Sequence, residues 1–249
     1  MSDESQGPGW WLASDGKWYP PDLAPGAQPP VTQPGPSYTP PMGGSPNNLD
    51  VGPAFSYAFA KFQQNIGPLL LIALVVVVVN VIGFAISYAV DSVFGQLVFQ
   101  VVSFVVGQIV MLGLYRAALM VTAGQTPDVG RVFSTDRLGD FIVGSLLYSL
   151  IVIVGLVLCI IPGIIAAVML YFYGFYILDK NLPPVDALRA SYNLVRAHAG
   201  DVFVLLLVAF VVYVVGFILC GIGVLVTGPI ALLMVAYGYR ILNNEPVAP

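Results

Sequence analysis

The sequence predicts an all-α membrane protein: six transmembrane helices built as three repeated hairpins, with amphipathic helices lying in the cytoplasmic interface and a disordered Pro/Gly-rich N-terminal tail. Three observations lead there. The chain of 249 residues is 58% hydrophobic and only 9% charged, a composition outside the soluble globular range. Apolar runs long enough to cross a hydrocarbon core of about 30 Å recur at 67–90, 96–121, 140–161, 163–179, 201–222 and 224–242. Between those runs, the connections that carry Lys or Arg alternate with connections that carry none.

The elements follow in chain order. Residues 1–21 hold all three tryptophans, in Gly9–Pro21, "GWWLASDGKWYPP". Asp15-Gly16 suits a two-residue type I′ turn, which would pair Ala13 with Trp18 and Leu12 with Tyr19. Trp10, Trp11, Trp18, Tyr19 and Pro20 then form a candidate partner-binding aromatic–proline cluster. The competing reading is an unfolded tail that meets the membrane surface through its tryptophans. Residues 22–49 are a Pro/Gly/Gln/Ser tract that cannot bury enough surface to offset its ordering entropy, so disorder with polyproline-II character is expected. At about 3.1 Å per residue it reaches roughly 80–90 Å. Residues 50–242 are the membrane domain, and 243–249 a short polar cytoplasmic tail. Met1–Gly9 is acidic and polar, so insertion is expected to be directed by the internal helices rather than by a signal peptide.

Charge placement predicts orientation. Lys61, Arg131, Arg137, Lys180, Arg189 and Arg196 lie in connections on one side; Arg116 and Arg240 lie near helix ends on that side, where they can snorkel. The tight turns at Asp91–Gly95, Pro162-Gly163 and Gly221–Gly223 contain no Lys or Arg. The positive-inside rule makes the charged side cytoplasmic, with both termini there, in the plasma membrane. Lys61, Arg131, Arg189 and Arg196 are the candidate contacts to anionic lipid headgroups.

The connections carry their own pattern. In 51–66, Phe55, Phe59, Phe62 and Ile66 share a helical face; in 185–199, Leu188, Tyr192 and Val195 do so, with Arg189, Asn193 and Arg196 off the stripe. Both read as interfacial amphipathic helices, and 127–133 is a shorter candidate. An offset of 133 residues aligns Ala54 with Ala187, Phe59 with Tyr192 and Gly83 with Gly216. An offset of 61 aligns Gly139-Asp140 with Gly200-Asp201, Gly155 with Gly216 and Cys159 with Cys220. The second helix of each hairpin ends alike: "GLYR" at 113–116, "YGFYI" at 173–177 and "YGYRI" at 237–241. A threefold repeat is expected, with shared membrane composition as the alternative source of the coincidences.

The stretch 159–210, with its Pro-Gly corner, its Ser-Tyr-bearing amphipathic helix and the following apolar helix, resembles the membrane domain found beside some glycerophosphodiester phosphodiesterases. The resemblance covers roughly 50–242. The catalytic domain of that family has no counterpart in these residues, so its activity is not carried over. The Pro/Gly-rich head resembles actinobacterial proline- and glycine-rich membrane proteins, and residues 1–21 resemble short Trp- and Asp-Gly-containing modules of such proteins.

Composition and spacing then narrow the chemistry. A net charge of −4 without a basic patch argues against nucleic acid. His198 is the single histidine and reads as a headgroup-facing side chain rather than a metal ligand; no cofactor is implied. Cys159 and Cys220 read as small apolar residues, a disulfide being the alternative. Tyr171, Tyr173, Tyr176, Tyr237 and Tyr239 read as an aromatic belt. Asn80, Gln100, Gln108 and Tyr213 are neutral polar groups at membrane depth, expected to bond between helices or to line a polar path. No convergent set of ionisable groups suggests an enzyme. The expectation is a non-enzymatic scaffold recruiting cytoplasmic partners through 1–21, the alternative a lipid or small-solute transport component with a groove between repeats.

Overall fold

The computed structural model describes residues 11–12, 18–19, 49–218 and 223–249. Trp10, Pro20, residues 22–48 of the Pro/Gly-rich tract and Cys220 lie outside the described residues. Near the N-terminus, β1 (Trp11–Leu12) pairs antiparallel with β2 (Trp18–Tyr19), Trp11 opposite Tyr19 and Leu12 opposite Trp18. The register differs by one residue from that expected of a two-residue Asp15-Gly16 turn. Leu12 facing Trp18 leaves five residues between the strands, an odd-numbered loop that a two-residue turn cannot close.

Residues 49–249 form ten helices among the described residues: α1 (Val51–Gln64), α2 (Ile66–Ala89), α3 (Val93–Thr122), α4 (Val129–Val132), α5 (Leu138–Leu158), α6 (Ile160–Met169), α7 (Tyr173–Asp179), α8 (Pro184–Ala197), α9 (Ala199–Ile218) and α10 (Val224–Leu242). Six spans are long and apolar enough to cross a membrane, α6 and α7 together making the fourth. They match the six predicted runs to within a few residues. Local chemistry sets several ends. The Ser92 side chain accepts from the Gly95 N–H at the start of α3. Asp140 lies in the first turn of α5, where it faces the positive dipole end and pairs with Arg137 at 3.2 Å. Pro162 falls in the first turn of α6, whose N–H groups lack intrahelical partners anyway; the corner itself is made by Cys159, exposed and extended.

The fourth span departs from its expected form. A turn at 170–172 divides 163–179 into α6 and α7. An interrupted helix at membrane depth persists only when its freed backbone groups find partners. Ser191 of α8 supplies them: the Phe172 N–H donates to its Oγ at 3.0 Å, and that hydroxyl donates to the Met169 carbonyl at 3.0 Å. Ser191 is fully buried, so solvent does not compete.

The core lies toward the charged end. Helices α3, α7 and α10 converge there through ring contacts: Tyr115 meets Phe175 edge-to-face at 4.6 Å, and Phe175 stacks on Tyr239 at 5.1 Å. Tyr173, Tyr176, Tyr237 and Tyr239 are all buried, so the expected belt is largely a core; only Tyr171 is half-buried. The face expected of α1 is only partly the buried one. Phe55, Phe59 and Ile66 are exposed, and Phe62 is buried together with Ala54, Tyr57, Ala58 and Lys61. Two alanines let the α1 backbone approach α10, where Tyr57 meets Tyr237 at 4.7 Å; close approach gains more contact than the Phe stripe would. On α8 the buried stripe is Ala187, Leu188, Ser191 and Val195, with Tyr192 outside it.

Candidate functional site: the broken fourth span and the charged end

α8 packs across α5, α6 and α7. Beneath it opens a cavity of about 880 Å³. Its walls are apolar: Leu147 and Ile151 from α5, Pro162, Ile165 and Met169 from α6, and Leu188 from α8. Its polar lining comes from one side, where α8 contributes Arg189, Tyr192 and Asn193. On the other flank of α6 lies a second cavity of about 440 Å³, between α6 and the α9–α10 pair. Tyr148, Tyr171 and Tyr213 bring three phenols to its otherwise apolar wall.

At the charged end an ion network ties the spans together. Arg240 of α10 pairs with Asp179 of α7 at 3.5 Å and with Glu245 at 3.1 Å, and its Nε donates to Thr122 Oγ1 at 2.9 Å. Lys180 pairs with Glu245 and, at 3.4 Å, with Asp179. The Tyr239 hydroxyl donates to Asp179, and the Tyr176 hydroxyl to Asn243. The hydrogen bond to Glu245 raises the Lys180 pKa, against the opposing effect of burial. Residues 243–249, expected as a short polar tail, are docked. Val247 is buried, the Ala248 N–H donates to the Thr122 carbonyl at 2.9 Å, and Lys61 donates to the Pro249 carbonyl. Gly124, at φ 78°, admits the segment: a Cβ there would stand 2.9 Å from that of Ala248.

The expected site residues distribute unevenly. Arg131, Arg189 and Arg196 are exposed, and Arg189 pairs with Asp186 at 3.8 Å. Lys61 is turned inward, 6% exposed, with its amine on Gln64 and Pro249; burial pushes its pKa down. Arg116 and Arg240 bond to protein rather than reaching outward: Arg116 donates to the Ser134 carbonyl and hydroxyl and to the Asp136 carbonyl. Asn80 donates to the Val76 carbonyl of its own helix. Neither cavity is lined by Asn80, Gln100 or Gln108, so Tyr213 alone of the four reaches one. Cys159 is described and Cys220 is not, so their pairing lies outside the described residues. His198 caps α8 through its backbone N–H.

Sequence reasoning missed Ser191, Asp179, Thr122 and Glu245. Glu245 had a signal: it is the only glutamate after Glu4, five residues past Arg240. Ser191 had none, because a serine on an amphipathic helix looks solvent-facing until the helix it touches is seen to break.

The fold and its cavities define a class: a multi-pass helical membrane protein with an interrupted span and an amphipathic slot beside it. The chain belongs to the family described as a domain of unknown function, DUF7847, whose model matches residues 95–244. It is also similar to uncharacterized proteins of Mycobacterium tuberculosis (Rv2560, and MT2637 of a second strain) and Mycobacterium bovis (Mb2590). Each is 29% identical over 135 residues, 54% of this chain and 42% of the relative. The match therefore spans less than half the length of these relatives. No solved structure matches the chain.

Proposed function

We propose that the protein handles a lipid or small amphiphilic solute at its broken fourth span, without enzymatic chemistry, in the plasma membrane with its charged end and both termini cytoplasmic. The observation that carries this reading is the position of α6, ten residues long, between cavities of about 880 and 440 Å³. Interrupted helices beside cavities are a recurrent way of building membrane binding sites, because backbone departs from helix only where it is buried or lines a cavity. Both volumes lie in the range of ligand sites.

A threefold repeat of interfacial helix and hairpin belongs to this reading. It is supported by the packing of α8 on α5–α7, of α4 on α3 and of α1 on α10, each interfacial helix lying on another unit's hairpin. The similar helix endings meet as Tyr115, Phe175 and Tyr239. Kinship with the membrane domain beside glycerophosphodiester phosphodiesterases would agree with a lipid ligand.

The test is reconstitution. Vesicles holding the full chain should show lipid scrambling or solute flux above empty vesicles, reduced severalfold by Ile165→Trp, which fills the larger cavity. Flux equal to that of empty vesicles across a broad panel overturns the reading. A second reading, recruitment of cytoplasmic proteins through 1–21, is favoured by the strand pairing of Trp11–Leu12 with Trp18–Tyr19. Deleting 1–21 should then empty a membrane pull-down of partners while leaving insertion intact; an unchanged partner set refutes it.

A further inference from the structure

We propose that the larger cavity is a site for an anionic phospholipid, its phosphate held by Arg189 and Asn193 and one acyl chain in the slot. The inference rests on the ligand-handling reading above and names the class of ligand.

Two features of the slot point to that class. Its polarity is graded: Arg189, Tyr192 and Asn193 lie on α8, which crosses the end of the slot near the helix break, and everything beyond is hydrocarbon. Its charge is complementary to an anion. Arg189 and Asn193, at i and i+4, share a face of α8 and offer a guanidinium fork and an amide N–H to phosphate oxygens.

The competing anion is weakly held. Asp186 lies 3.8 Å from Arg189, both side chains more than half exposed, and such surface pairs contribute little. A phosphate arriving with its chain already in the slot would take over the arginine. Arg196 lies two turns beyond Arg189 on α8 and is also exposed, adding to the positive field. By contrast the second cavity is lined by phenols and carries no charge, so it offers an internal control for lipid that enters without charge recognition.

The experiment uses the full chain in vesicles of phosphatidylcholine containing a trace of photoactivatable phosphatidylglycerol or of photoactivatable phosphatidylcholine, with crosslinks mapped by peptide mass spectrometry. Phosphatidylglycerol should label the slot walls, 147–151 and 162–170, about fivefold more than phosphatidylcholine does, the preference expected of one interfacial arginine. Arg189→Gln should bring that ratio close to one, chiefly by lowering phosphatidylglycerol labelling; Arg189 is on the surface, so the fold survives the change. Equal labelling by both lipids, unaffected by Arg189→Gln, overturns the anionic assignment but leaves the slot a lipid site. Labelling no greater than that of the exposed α2 surface around Phe84 overturns the assignment and the ligand-handling reading together.

Discussion

The pairs α5–α6 and α9–α10 and the pair α2–α3 are built from similar apolar sequence, yet they pack differently. Where α5 meets α6, a Cβ on Gly155 would stand 2.8 Å from the Gly163 Cα, and one on Gly163 would stand 2.4 Å from Leu156. Where α9 meets α10, a Cβ on Gly216 would overlap Thr227 and lie 2.9 Å from the Gly223 backbone. Gly83, the α2 residue aligned with Gly216, has open space around it, and Val81, Phe84 and Tyr88 nearby are exposed. Small residues permit close helix contact in a membrane but do not compel it. The α2–α3 pair is held chiefly at its charged end, where Tyr115, Leu119 and Val121 join the core.

This contrast can be broken in order of expected effect. Gly155→Leu should abolish monodisperse, folded protein in detergent, because the obstacle is backbone and cannot rotate away, whereas Gly83→Leu should elute as the native chain does. Size-exclusion chromatography reads both. Arg240→Met should cost about 2–4 kcal/mol in unfolding experiments, since it leaves Asp179 and Glu245 mostly buried with Lys180 as their shared cation. Arg189→Gln, at an exposed pair, should cost under about 1 kcal/mol.

Ser191→Ala should cost about 1–3 kcal/mol by stranding the Phe172 N–H, and hydrogen exchange should quicken at that amide before others in the fourth span. Gly83→Ala should be neutral or stabilise by up to about 1 kcal/mol, through helix propensity alone. The smallest expected effect is that of pH on Lys180. Its pKa is raised in the folded protein, so its contribution is fully present below the unfolded-state pKa and is lost as pH rises through the folded-state value. Melting temperature followed through the alkaline range should fall earlier in the wild type than in Lys180→Met.

How far the sequence could be read depends on what each property requires. The six spans needed only run length, and the charged end needed only the spacing of Lys and Arg, because a bilayer imposes both constraints on each segment separately. The exposure of Arg189 and Arg196 followed from helical periodicity. The inward face of α1 did not follow: Phe55 and Phe59 outweigh Ala54 and Ala58 by hydrophobicity, but contact with α10 rewards small residues. The tyrosines likewise could not declare themselves core or belt, since an amphipathic ring at a helix end suits either place.

What the sequence by itself determined is therefore the set of membrane-crossing helices and which connections carry charge, properties that each segment owes to its own composition. What only the tertiary structure decided is the interruption at 170–172, the ion network around Arg240, the docking of 243–249 and the two cavities. Each depends on a partner distant in the chain: Ser191 for the broken span, Asp179 and Thr122 for Arg240, Thr122 and Lys61 for the last residues. A hydrogen bond or an ion pair is a property of two groups held at one distance, and only the packed helices fix that distance.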